Sequence, residues 1–125
     1  MLLKNPPAKV RFSEKFSLFE DQWSPKVVAE MNDYQFKLVR LDGEFVWHQH
    51  DETDETFIVL EGELTIDLDA GPVTLCAGEM LVIPKGLRHR PYATTEAKVL
   101  LVEPRGVVNT GDTSSELTAA QDVWV

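Results

Sequence analysis

The chain has 125 residues, 43% of them hydrophobic, and its 12 Lys and Arg against 21 Asp and Glu leave a formal net charge of −9. That size fits a single domain over 1–125, and the composition excludes a disordered chain. The acidic balance argues against nucleic acid or an anionic membrane surface as partner. No apolar run reaches the ~18 residues of a membrane span, and the first ten residues lack the apolar core of a signal peptide. One cysteine permits no intrachain disulfide and is compatible with a reducing cytoplasm, the expected location.

Residues 1–25 read as an N-terminal arm. Asn5-Pro6-Pro7 discourages helix and strand. Ser13 is placed to cap a short helix over residues 14–19, with Phe12, Phe16 and Phe19 on one side, and Trp23-Ser24-Pro25 ends it. From residue 26 the pattern changes to short strands between turn residues. Runs at 27–31 and 34–41 are separated by Asn32-Asp33. Asp42-Gly43 is a hairpin signal leading into a strand over 44–49. The acidic stretch 51–54 reads as a loop. Further strands are expected at 56–60, 64–68, 73–76, 80–83, 89–93 and 98–102, separated by Glu61-Gly62, Ala70-Gly71, Ala77-Gly78 and Pro84-Lys85-Gly86. About ten short strands without a central helix indicate an all-β sandwich or barrel, with its core over 26–104. The tail, 105–125, is rich in loop residues, but Val123-Trp124-Val125 is apolar enough to dock on the body or on a neighbour. Cys76 follows Leu75 on an apolar run and reads as a small core residue.

The histidines are His48, His50 and His89. On a strand, residues i and i+2 face one side, so the rings of His48-Gln49-His50 can converge on one ion with bonds of about 2.0–2.1 Å. On a helix the same spacing would turn them about 200° apart. Asp54 and Glu55 follow within a few residues, and a carboxylate entering the barrel there is a candidate third ligand. His89 is a candidate fourth. Glu52, which shares the histidines' parity if the strand continues, is the reserve carboxylate. Each residue alone has an ordinary structural explanation; the absence of histidine elsewhere favours the joint reading. By parity, Val46, Phe57, Val59, Pro91 and Ala93 would form a dry wall around the site. Arg40, Arg88, Arg90, Tyr92 and Glu103 are candidates for polar contacts. Lys85, Arg88 and Arg90 cluster in a turn where solvation, not phosphate binding, is the ordinary explanation.

Gly43, His48, His50, Glu55 and Gly62 resemble the first motif of the cupin family. Gly78, Pro84, Gly86 and His89 resemble its second, with the Gly-to-Pro gap, the Pro-x-Gly and the following x-x-His all matching. Fifteen residues separate Gly62 from Gly78, as in small microbial cupins. The resemblance spans about residues 34–103. It departs from the family pattern in two places: four residues stand between Gly43 and His48 where the pattern has five, and Ala93 stands where the second motif usually ends in Asn. The resemblance implies an antiparallel double-stranded β-helix, or jelly-roll barrel, with a divalent metal inside held by His48, His50, Glu55 and His89. Nitrogen and oxygen donors without thiolate suit Mn, Fe, Co, Ni, Cu or Zn. Such a site would carry a net charge of about +1 and draw an anionic or enolate-type ligand.

Three functions are open at this point. The first is a metal-dependent enzyme, dioxygenase-like or isomerase- or lyase-like, acting on a small oxygenated substrate, with Tyr92 or Glu103 as candidate acid–base groups. The second is a non-catalytic module that binds a sugar or small acid. The third is a structural homodimer with a vestigial site and an interface drawn from Phe12, Phe16, Phe19, Trp23 and Trp124. Fold alone does not choose among them.

Overall fold

Asn32, at φ 54, turns the chain between Lys26–Met31 (β1) and Tyr34–Glu44 (β2), which pair antiparallel. The strands that follow are Glu55–Glu61 (β3), Glu63–Leu68 (β4), Gly71–Cys76 (β5), Met80–Ile83 (β6) and His89–Pro104 (β7). These elements come from a computed structural model that describes residues 6–125. The part of the expected arm over residues 1–5 lies outside the described residues.

All strand pairings are antiparallel, in the order β1-β2-β7-β3-β6, with β4 joined to both β5 and β7. β7 organises the molecule. Its first residues, His89 to Tyr92, pair with β4, and Lys98 to Val102 pair with β3. Between them Thr94, Thr95 and Glu96 are exposed and mark the corner. The strands expected at 89–93 and 98–102 are therefore one strand that turns a corner, because β2 pairs with both parts.

The Asp42-Gly43 hairpin does not form. β2 continues to Glu44 through a register shift between Leu41 and Gly43, where Gly43 has φ 80. The glycine's left-handed conformation serves a bulge instead of a turn. The strand expected at 44–49 is irregular, with an isolated bridge between His48 and His89. Together these changes leave seven strands among the described residues where about ten were expected. Cys76 is exposed, because β5 pairs with β4 alone and its alternation puts Leu75 inside and Cys76 outside.

Alternation on β2 and β7 builds two cores. Val39, Leu41, Val99 and Leu101 face the interior, with Phe57, Val59, Leu64 and Ile66. Leu38 and Leu100 face outward and are covered by Phe16 and Phe19. The covering helix, Phe12–Phe16 (α1), starts before the expected Ser13 cap; Arg11 is the N-cap and no side chain caps it. Arg40 anchors this segment by donating to the carbonyls of Phe16 and Phe19. Phe12 stays exposed at 38%. Phe16, Phe19 and Trp23 are buried within the chain, so three of the five aromatics assigned to a dimer interface are used by the monomer's own core. At the other end, Val27 exchanges backbone hydrogen bonds with Val123 and Val125, docking the tail on β1.

Among the described residues, no helix is long and apolar enough to cross a membrane.

Candidate metal centre

Segment 45–50 lies beside the start of β7. The amide of Phe45 donates to the Pro91 carbonyl at 3.0 Å, and His48 and His89 exchange backbone hydrogen bonds of 3.0 and 2.9 Å. The segment is not a regular strand, yet its alternation survives: His48 and His50 are buried and Gln49 between them is half-buried. The Pro84-Lys85-Gly86 turn supplies the other side. Gly86 donates its amide to the His50 carbonyl at 2.8 Å, and Lys85 donates its amide to Asp54 at 2.8 Å. This turn delivers His89, the first residue of β7, to Glu55, the first residue of β3.

His48, His50, Glu55 and His89 are all buried, and one ligand atom from each lies within 4.8 Å of all the others. Glu55 Oε1 is 3.2 Å from His89 Nε2 and 3.4 Å from His50 Nε2. Two donors bound to one ion at about 2.0–2.1 Å, with octahedral or tetrahedral angles, stand about 2.9–3.4 Å apart, so these spacings match the edges of a coordination polyhedron. The ring orientations agree. Nδ1 of His48 donates to the Val46 carbonyl and Nδ1 of His89 to the Leu87 carbonyl, each at 2.9 Å. With that tautomer each Nε2 keeps its lone pair free for a ligand role. His50 Nε2 is buried without a hydrogen-bond partner among the described residues, the kind of orphan a bound ion would satisfy. The donor set therefore has the chemistry and spacing of a first-row divalent site.

Electrostatics point the same way. Burial, reinforced by His89, pushes the His48 imidazole down to about 4, so it is neutral at physiological pH. Burial alone would raise the Glu55 carboxyl, but the imidazoles of His50 and His89 beside its Oε1 outweigh it and hold the group well below the carboxylate range. Beside it lies Glu103. Burial, and then the charge of Glu55, raise the Glu103 carboxyl well above its ordinary value despite the Lys37 ammonium 2.8 Å away.

A cleft of about 350 Å³, its open mouth included, adjoins the cluster at His48 and Glu55. Phe57 and Pro91 line it as their parity predicts, whereas Val46, Val59 and Ala93 do not. Because segment 45–50 is irregular, Phe45 takes the place assigned to Val46. The sequence reading missed Trp23 here. Trp23 has φ 58, which turns its ring back over the barrel. The ring stacks on Phe45 at 4.6 Å and donates its indole N–H to the Asp42 carbonyl. It also missed Asn109, whose side chain holds the Trp23 and Leu117 carbonyls. Both connections are long-range, and no local pattern carries them.

Glu52 is exposed, so the carboxylate in the cluster is Glu55. Tyr92 lies on the opposite face of β7 from His89, with the Arg90 guanidinium over its ring. Arg40 serves α1, Arg90 pairs with Asp67, and Arg88 is exposed over Trp47. Lys85 is exposed as well, and no phosphate cradle forms from these side chains.

The cupin domain pattern matches residues 38–103, more than half of the chain. The chain belongs to the cupin domain family. Its fold is similar to a crystallised cupin-2 domain protein of Shewanella frigidimarina, 59% identical, with a TM-score of 0.76 over 77% of this chain and 94% of that one. A Neisseria meningitidis protein of known structure is 28% identical, with a TM-score of 0.71 over 78% and 99% of the two chains. The uncharacterised Bacillus subtilis protein YdbB is 44% identical over 61% of this cupin and 68% of its own length. A hydroquinone 1,2-dioxygenase is 19% identical, with a TM-score of 0.65 over 83% of each chain, a likeness of fold alone.

Proposed function

We propose that this cupin is a metal-dependent enzyme acting on a small oxygenated substrate, with His48, His50, Glu55 and His89 holding one divalent ion of Mn, Fe, Co, Ni, Cu or Zn. The observation that carries the reading is the buried, unpartnered Nε2 of His50 in a cluster of four donors beside an apolar cleft. Bound there, such an ion supplies Lewis-acid polarisation of a carbonyl or, if redox-active, a route for electrons between a chelating substrate and O₂.

The chain's own residues do the rest. His48 and His89, fixed through Nδ1 by backbone carbonyls, keep their donor atoms aimed without reorganisation. Trp23, Phe45, Phe57 and Leu101 line the cleft; they exclude water and receive the apolar body of a substrate while its oxygens point at the cluster. Glu55 is committed to the imidazoles and serves as a ligand, not a general base. Glu103 is the buried acid that remains, beside Glu55, its carboxyl raised well above the ordinary value by burial and by the charge of Glu55.

A non-catalytic ligand-binding module is the second reading. It is favoured by the placement of Tyr92 on the outer face, which leaves Glu103 as the acid–base candidate of the two. Oxygen uptake and product formation with a panel of enediols, catechols and α-hydroxy ketones separate the readings. Turnover that disappears in His50→Ala supports the enzyme. Binding of panel members without turnover, under aerobic conditions and with each of the six metals, supports the module.

A further inference from the structure

A row of buried polar side chains runs inside this barrel. Lys37 on β2 and Glu103 on β7 face the interior, with side chains 5% and 2% exposed, and Lys37 Nζ donates to Glu103 Oε1 at 2.8 Å. Next to them are Val39, Val99 and Leu101. The row continues to the four-donor cluster. β3 and β7 pair Thr56 with Val102; one residue further along each strand stand Glu55 and Glu103, both buried. Glu103 Oε2 is buried and lacks a hydrogen-bond partner among the described residues.

Stability is a poor reason for this pair. Taking an ammonium and a carboxyl out of water is costly, and apolar side chains of similar volume commonly serve as well or better. The cluster gives a better one. A ligating carboxylate needs a partner that fixes which oxygen it presents and at what angle. Glu55 presents Oε1 to His50 and His89, and Glu103, gripped by Lys37 and with Oε2 uncommitted, stands next to it on the adjacent strand.

We propose that Glu103, held by Lys37, is a positioning residue for Glu55 and sets the affinity and ligand field of the four-donor site. The inference rests on the metal-binding reading above. It concerns the orientation of the carboxylate, not its identity as a ligand.

The test uses the full chain stripped of metal and titrated with Co²⁺, read by visible absorption, beside thermal melts of the metal-free proteins. Glu103→Gln keeps the length of the side chain and an oxygen for Lys37, so it is expected to bind Co²⁺ within about threefold of wild type with the same bands. Glu103→Asp withdraws the carboxyl by one methylene, and Glu103→Leu removes it. Both are expected to bind about 10–100-fold more weakly, with shifted bands. If Glu103→Asp and Glu103→Leu show wild-type affinity and bands and differ only in melting temperature, the pair is structural and the inference is overturned. If Glu103→Leu does not fold, Glu103→Asp against Glu103→Gln decides alone. Wild-type protein that takes up no Co²⁺ overturns the metal reading and this inference with it.

Discussion

His48 shows most directly what burial does to a ligand. Folding lowers its imidazole from 6.5 to about 4, chiefly by desolvation. Between those values the unfolded chain binds a proton that the folded chain refuses, so stability rises with pH across this window. The contribution is complete above about 6.5 and disappears as the pH falls towards 4. Urea denaturation of the metal-free protein is expected to lose up to about 3 kcal/mol over that range. In a His48→Gln variant this component of the slope is absent. Single substitutions address the donor set. His48→Ala, His50→Ala, His89→Ala and Glu55→Ala are each expected to reduce metal retention by about 100-fold or more, and Glu52→Ala to leave it unchanged. If Glu52→Ala strips the metal while Glu55→Ala keeps it, the assignment of the carboxylate is wrong. The three histidines were legible in the sequence because nothing else competes for them. Choosing Glu55 over Glu52 needed the family resemblance, since parity alone would continue a strand through residue 52 that the acidic loop breaks.

At the scale of elements, the tail holds the segment bearing His48 and His50. Asp112 and Gln49 exchange hydrogen bonds of 3.1 Å, and Thr113 donates to the Trp47 carbonyl. Gly111 passes so close that a Cβ there would overlap the Gln49 carbonyl and stand 3.2 Å from His48 Cδ2, at φ +58. Gly111→Ala is therefore expected to cost about 2–3 kcal/mol in urea denaturation and to weaken metal retention with it. Unchanged stability would show that the tail yields freely and does not hold the segment. Ala93 in place of the family's Asn is buried in the core and takes no part in the cleft. The sequence reading failed at this scale wherever a local signal had two uses. Asp42-Gly43 supports a hairpin or a bulge, and the long partner β7 decides for the bulge. Trp23 looks like a helix terminator, and its role as a wall of the cleft depends on Phe45 and Asp42, far away in the chain. Alternation transferred in part: it placed Phe57 and Pro91 on the cleft, because a strand's period of two survives a change of partner, whereas Val46, Val59 and Ala93 lie off it.

For the whole molecule, an all-β sandwich or barrel was readable from the rhythm of apolar runs and turn glycines and the jelly roll from the cupin resemblance, while the number of strands was not. Sequence marks the ends of runs; whether two runs join across a corner depends on a neighbour that pairs with both. A chain of net charge −9 gathers its three histidines around one carboxylate in its interior. An ion bound only by the folded form stabilises the fold by mass action. Restoring the cognate ion to stripped protein at a hundredfold excess over its dissociation constant is expected to add about 2.7 kcal/mol and to raise the melting temperature by several degrees. The most direct measurement is elemental analysis of untagged protein beside His50→Ala. The expected result is about one Mn, Fe, Co, Ni, Cu or Zn per wild-type chain and none in the variant. Wild-type protein without metal, even after reconstitution with each of these ions, would contradict the account.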